Sequence, residues 1–122
     1  MKMDLDLIRK LLLFIEEKDT INSEIRLQEF QIIKEHSIEE IAYHLALLND
    51  AGYIEGKEIK AVGIYDYWVK RMTIEGHQYL NNIRDDTIWN KTKEKLKQVS
   101  GTVSLEIVNT VATNVLKTAL GI

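Results

Sequence analysis

Three histidines, His36, His44 and His77, are the side chains best suited to proton transfer or metal binding near neutral pH. Their spacing supports neither chemistry. No pair carries HExxH spacing, and none has a set of carboxylate neighbours that would close a metal site. The chain has no cysteine, so a thiolate nucleophile, a thiolate zinc site and a disulfide framework are all excluded. The EGKE segment at residues 55–58 lacks the strand-to-helix context that cradles phosphate. Asp85 and Asp86 are adjacent carboxylates, and their expected place is a helix N-terminus, where negative charge offsets the helix dipole. Catalysis needs a base, a reacting group and an orienting neighbour together. With no such set, the expectation is a protein that is not an enzyme, with no catalytic residue, no cofactor and no metal.

The side chains able to make contacts sit on elements that the pattern defines unevenly. A first helix is expected over about 3–18, with Leu7, Ile8, Leu11, Leu12, Phe14 and Ile15 on one side. Leu13 falls on the polar side, either as an ordinary exposed leucine or as an interface residue, the second reading applying if it has apolar neighbours in space. Residues 19–35 are the least legible. DTINS reads as a turn, EIRLQEF as a strand with Ile25 and Leu27 on one face, and FQIIKEH as its continuation or a short helical turn.

The segment from Ser37 to Ala51 is the best defined. Ser37 and Glu40 form a capping box, Ile38, Ile41, Ala42, Leu45 and Leu48 make a core stripe, and Gly52 stands where the helix must stop. An antiparallel hairpin is expected within 53–71, turning near KAVG, with Tyr65, Tyr67 and Val69 on one face. Thr73 then caps a helix ending near Arg84, in which Gly76 is unfavourable for propensity and marks close packing instead. A helix opening at Asp86 or Thr87 lines Ile88, Trp89, Thr92, Leu96 and Val99 along its apolar side, and Ser104 caps a last helix to about Leu120. Helix, glycine stop and hairpin in this order form the second half of a winged helix. The expected fold class is therefore α+β, mostly α: a winged-helix domain over 1–84 with a C-terminal helical extension over 85–122 packed on it as one compact unit.

The phrases MDLDLIRKLL, EEIAYHLALLNDAGYIEG and TIEGHQYLNNIRDDTIWNKTKEKLK are together distinctive. Through them nearly the whole chain resembles domain-of-unknown-function family 2513, which occurs in bacterial genomes and their prophages. The resemblance implies a winged-helix fold and a prophage-type regulatory setting. It implies no activity, and it assigns no residue a role.

Charge then separates the candidate partners. The net charge of -3 and the pI of about 5.6 argue against a dedicated nucleic-acid binder. The outer face of the 37–51 helix presents Glu39, Tyr43, Ala46, Leu47 and Asp50, with no Lys or Arg to meet phosphates. Glu39, Tyr43, Leu47 and Asp50 are therefore expected to contact an unidentified protein. The alternative, a DNA-binding regulator, would use Lys57, Lys60, Lys70 and Arg71 of the wing and Lys91, Lys93, Lys95 and Lys97 of the following helix. Those last four lysines spread round a whole polar face, as solvated lysines do. The apolar arc of the last helix spans roughly 220°, about twice what packing on its own domain requires. Val108, Val111, Val115, Leu116 and Leu120 are accordingly expected to join two copies into a homodimer. No run of about 20 apolar residues is present, and acids interrupt the N-terminal apolar run, so no membrane span and a cytoplasmic location are expected.

Overall fold

The computed structural model describes residues 1–18, 23–99 and 103–122. Among these residues five α-helices, one 3-10 helix and three strands follow in the order α1 (Leu5–Lys18), β1 (Ile25–Arg26), a 3-10 helix (Leu27–Ile32), α2 (Ile38–Asp50), β2 (Ile54–Ala61), β3 (Ile64–Met72), α3 (Ile74–Ile83), α4 (Asp86–Leu96) and α5 (Leu105–Leu120). The fold is α+β, mostly α, with one antiparallel sheet of order β1-β3-β2. It divides into two compact units, Met1–His77 and Gln78–Ile122, so the change of unit falls inside α3.

In the first unit, α1 buries Leu7, Ile8, Leu11, Leu12 and Ile15 completely, the spacing of a single helical face. Each such side chain contributes roughly 2 kcal/mol of transfer free energy, which offsets the entropy of ordering the chain. Ile41, Leu45 and Leu48 of α2 and Tyr67, Val69 and Met72 of β3 complete this core with Leu27 and Phe30. Ile38, expected in the α2 stripe, is only half-buried, because it lies in the first turn at the edge of the face.

The capping box at Ser37 and Glu40 is formed, and Gly52 takes φ 78 at the stop. His44 is a structural ring. Its Nε2 accepts from the Asp4 backbone N–H at 2.8 Å, which leaves Nδ1 as the donor to the Glu40 carbonyl at 2.7 Å. The expected strand over EIRLQEF shrinks to Ile25–Arg26, and the chain turns helical from Leu27. The reason is distant in sequence: the Asp66 carboxylate accepts from the Leu27 backbone N–H at 3.1 Å and bends the chain off the sheet. Most of the expected DTINS turn, residues 19–22, lies outside the described residues.

The hairpin forms as expected, turning at Val62 and Gly63 with Gly63 at φ 72. One bulge rephases it. Glu55 opposes Arg71 and Gly56 opposes Val69, so Lys70 is the extra residue. The inward positions therefore run Tyr67, Val69 and then Met72, and Arg71 stays outside. In the second unit α4 and α5 pack on each other, burying Ile88, Trp89, Thr92 and Leu96 with Val108, Ala112 and Val115. Val99, expected on the α4 apolar side, lies past the helix end and is 51% exposed.

The start of α3 is held against the turn that follows α2. Thr73 N–H donates to the Tyr53 carbonyl at 2.9 Å, and the Thr73 hydroxyl accepts from Gly76 N–H while donating to the Gly52 carbonyl. A Cβ at Gly76 would overlap the Tyr53 carbonyl and reach within 2.7 Å of Met72 Cγ. In an exposed helix Gly→Ala stabilises by about 1 kcal/mol. Here Gly76→Ala is expected to destabilise by about 2 kcal/mol, the cost of overpacking, as read from urea unfolding midpoints.

Candidate functional site

The outer face of α2 is built by the same capping that fixes the helix. With Ile41, Ala42, His44, Leu45 and Leu48 turned inward, the 100° step leaves Glu39, Tyr43 and Asp50 facing out, flanked by half-buried Ala46 and Leu47. Tyr43 is 40% exposed and meets the His44 ring edge-on. At the same helix end His36 Nδ1 lies 3.2 Å from Glu40 Oε2. That hydrogen bond, then the Ser37 backbone N–H, holds the Glu40 carboxyl below its usual range. The structure thus groups the four sequence-derived contact residues Glu39, Tyr43, Leu47 and Asp50 on one acidic, partly apolar face that carries no cation.

The hairpin cations divide. Arg71 donates to Glu55 at 2.6 Å, which holds the Glu55 carboxyl below its usual range, and Lys60 lies 3.6 Å from Glu58. Lys57 and Lys70 instead line a small hollow of about 190 Å³ with Glu24, Glu55, Gly56 and Trp68. Register explains the meeting, since Lys57 is the cross-strand partner of Trp68 and Arg26 is its partner on the other side. The Arg26 guanidinium stands 5.2 Å from the Trp68 ring centre. The opposite edge of the indole is fixed by Asp66, whose Oδ2 accepts from Trp68 Nε1 at 2.9 Å while Oδ1 accepts from Tyr67 N–H at 2.8 Å.

Trp68, Arg26 and Asp66 were not singled out from sequence. The available signal was the i, i+2 spacing of Asp66 and Trp68, which places acid and indole on one face of a strand. For Asp66, desolvation pushes the carboxyl pKa up. Hydrogen bonds from Trp68, Leu27 and Tyr67, with the charge of Arg26, outweigh it and leave the pKa below its usual value.

In the second unit the four lysines of α4 part in two directions. Lys91 and Lys95 border a groove of about 470 Å³ with Glu94, Gln98, Val115, Thr118 and Ala119. Lys93 lies 5.5 Å from the Trp89 ring centre, and Lys97 is the exposed C-cap. On α5 the centre of the apolar arc faces inward. Val108 and Val115 are buried within their own chain, so of the expected self-association residues these two are already covered. Val111 and Leu116 are half-buried, and Leu120 is 71% exposed. What projects is the two edges of the arc, Ile107 on one side and Leu120 on the other.

Among the described residues no group of three His, Cys, Asp or Glu is placed to hold a metal ion, and no helix is long and apolar enough to cross a membrane. A family profile described as "Hypothetical protein (DUF2513)" matches residues 2–103. An uncharacterised protein of Haemophilus influenzae is 31% identical over 120 residues, spanning 98% of this chain and 99% of its own. No solved structure matches.

Asp66 yields a test of this geometry. A carboxyl with a lowered folded pKa stabilises fully above its unfolded value, near pH 4, and that contribution is lost as pH falls through the folded value. Asp66→Asn keeps the one oxygen, Oδ1, that accepts from both backbone N–H groups, and replaces the charged acceptor of the indole with an amide donor. The expected cost at neutral pH is on the order of 1 kcal/mol, at the low end for a hydrogen bond to a charge because the site is partly solvated. The difference from wild type should shrink steadily below about pH 4 in unfolding curves taken across a pH series.

Proposed function

The chain belongs to the DUF2513 family, and from that premise we propose that it is a non-catalytic binding module of winged-helix type. It acts through protein contacts in a prophage-type regulatory setting. The observation that carries this reading is the α2 face, where Tyr43 and Leu47 lie between Glu39 and Asp50 with no cation among them. In a winged helix this is the face that would enter a major groove, and two carboxylates there repel phosphate. An exposed tyrosine beside an aliphatic side chain, ringed by acids, suits a protein surface bearing Lys or Arg. Self-association into a homodimer is part of the same proposal, and the exposed apolar edges of α5 are one surface available for it.

The alternative reading, a DNA-binding regulator, draws on Lys57 and Lys70 beside Trp68 and on the α4 lysines. The pairing of Arg71 with Glu55 and Lys60 with Glu58 weakens it, because ion pairs compete with phosphate for the same cations.

The test is site-specific photocrosslinking in the native host, with a benzophenone amino acid at position 43 and, as control, at the fully exposed Val62 of the hairpin tip. The expected result is a discrete protein adduct from position 43 that is absent from position 62. Leu47→Asp in the same protein should abolish that adduct while thermal unfolding stays cooperative. Nucleic-acid adducts from position 43 would overturn the proposal.

A further inference from the structure

Leu13, the one apolar residue of α1 on the polar side of the helix, does have apolar neighbours in space. With Phe14 of α1 and Ile32 and Ile33 beyond it, Leu13 lines a groove of about 450 Å³ whose other walls are Lys10, Glu17, Lys34 and Glu35. Ile32 is 70% exposed, a large apolar side chain standing at the rim. Phe14 rests on Phe30 with ring centres 4.9 Å apart, so the groove floor is anchored to the core of its own unit. On the helical wheel Lys10, Leu13, Phe14 and Glu17 fall within a sector of about 100° and so form one face.

The order of those four residues is symmetric. Lys10 and Glu17 lie equally far from the midpoint of Leu13 and Phe14, one cation on one side and one anion on the other. A two-fold axis through that midpoint sets α1 antiparallel to the α1 of a second copy. It brings Leu13 onto the second copy's Phe14, and Lys10 onto its Glu17, twice over. An isologous interface requires this self-complementarity, and a surface meeting an unrelated partner has no reason to show it. The opposite charges also supply the complementarity that fixes register and orientation.

We propose that the α1 groove is the self-association surface, with a second copy of this chain as its occupant. This rests on the self-association part of the function proposed above and moves the contact from α5 to α1. Apolar contact at Leu13, Phe14 and Ile32 gives the affinity, and the Lys10–Glu17 pairs give the antiparallel register.

The experiment is sedimentation equilibrium of the whole chain and of charge-reversed variants. Lys10→Glu places like charges together at both ends of the interface, and so does Glu17→Lys. Each is expected to raise the dimer dissociation constant about tenfold, since two exposed pairs change sign together. The double reversal, Lys10→Glu with Glu17→Lys, recreates the pairing and is expected to restore wild-type dimerisation. A merely destabilising pair of substitutions could not do so. Both positions are exposed, so the fold is retained, as far-UV circular dichroism verifies. A dimer unaffected by either reversal but lost in Leu120→Asp would overturn the α1 assignment and leave self-association through α5. A monomer at the highest attainable concentration would overturn self-association altogether. Neither result bears on the α2 face, which the crosslinking test reads separately.

Discussion

The first unit depends on one close approach of backbone to backbone, where α3 begins against the turn that ends α2. The Tyr53 carbonyl takes the N–H of Thr73 and lies where a side chain at position 76 would have to be. Because Gly76 has no Cβ, the helix can sit this near, and because Gly52 turns left-handed, the Tyr53 carbonyl is delivered there. The hairpin leaves from Tyr53 and returns to Met72, so the Thr73–Tyr53 bond stands at the open end of the ladder that joins β2 and β3.

Asp66 extends the same order to the other edge of the sheet. One carboxylate caps the 3-10 helix at Leu27, stiffens β3 at Tyr67 and fixes the Trp68 indole. Its charge is held chiefly by hydrogen-bond donors, and the charge of Arg26, which stands over the indole, adds to them. The consequence is a hairpin whose Trp68 indole is held between Asp66 and Arg26.

Local chemistry was legible in the sequence, and chemistry between distant residues was not. Ser37 with Glu40, Gly52, Thr73, Asp85 and Ser104 all mark helix ends within four residues of themselves, and each is found at the end it marks. Gly76 was legible as a packing glycine because its propensity is otherwise unfavourable. The strand expected at EIRLQEF stops short because its terminator, Asp66, lies 39 residues further on. Met72 replaces Arg71 at the core because a bulge at Lys70 breaks the two-residue period, and the only mark of it in the sequence is a glycine, Gly56, on the opposite strand. The apolar arc of α5 was visible, but that its centre faces α4 while its edges project depends on a neighbour the wheel does not contain. Leu13 is the instructive case, since only the fold supplies the Ile32 and Ile33 that turn a stray leucine into part of a groove.

The proposed role of the α2 face, acidic and without cations, is to meet protein rather than a DNA groove. Its most direct test is selection from a random duplex library with the purified chain, followed by fluorescence anisotropy of the recovered duplexes across a salt series. No sequence is expected to be enriched. Any binding should come from Lys57, Lys70 and the α4 lysines, be indifferent to sequence and fade steeply as salt rises to the physiological range. Recovery of one sequence motif bound with nanomolar affinity at physiological salt would contradict it.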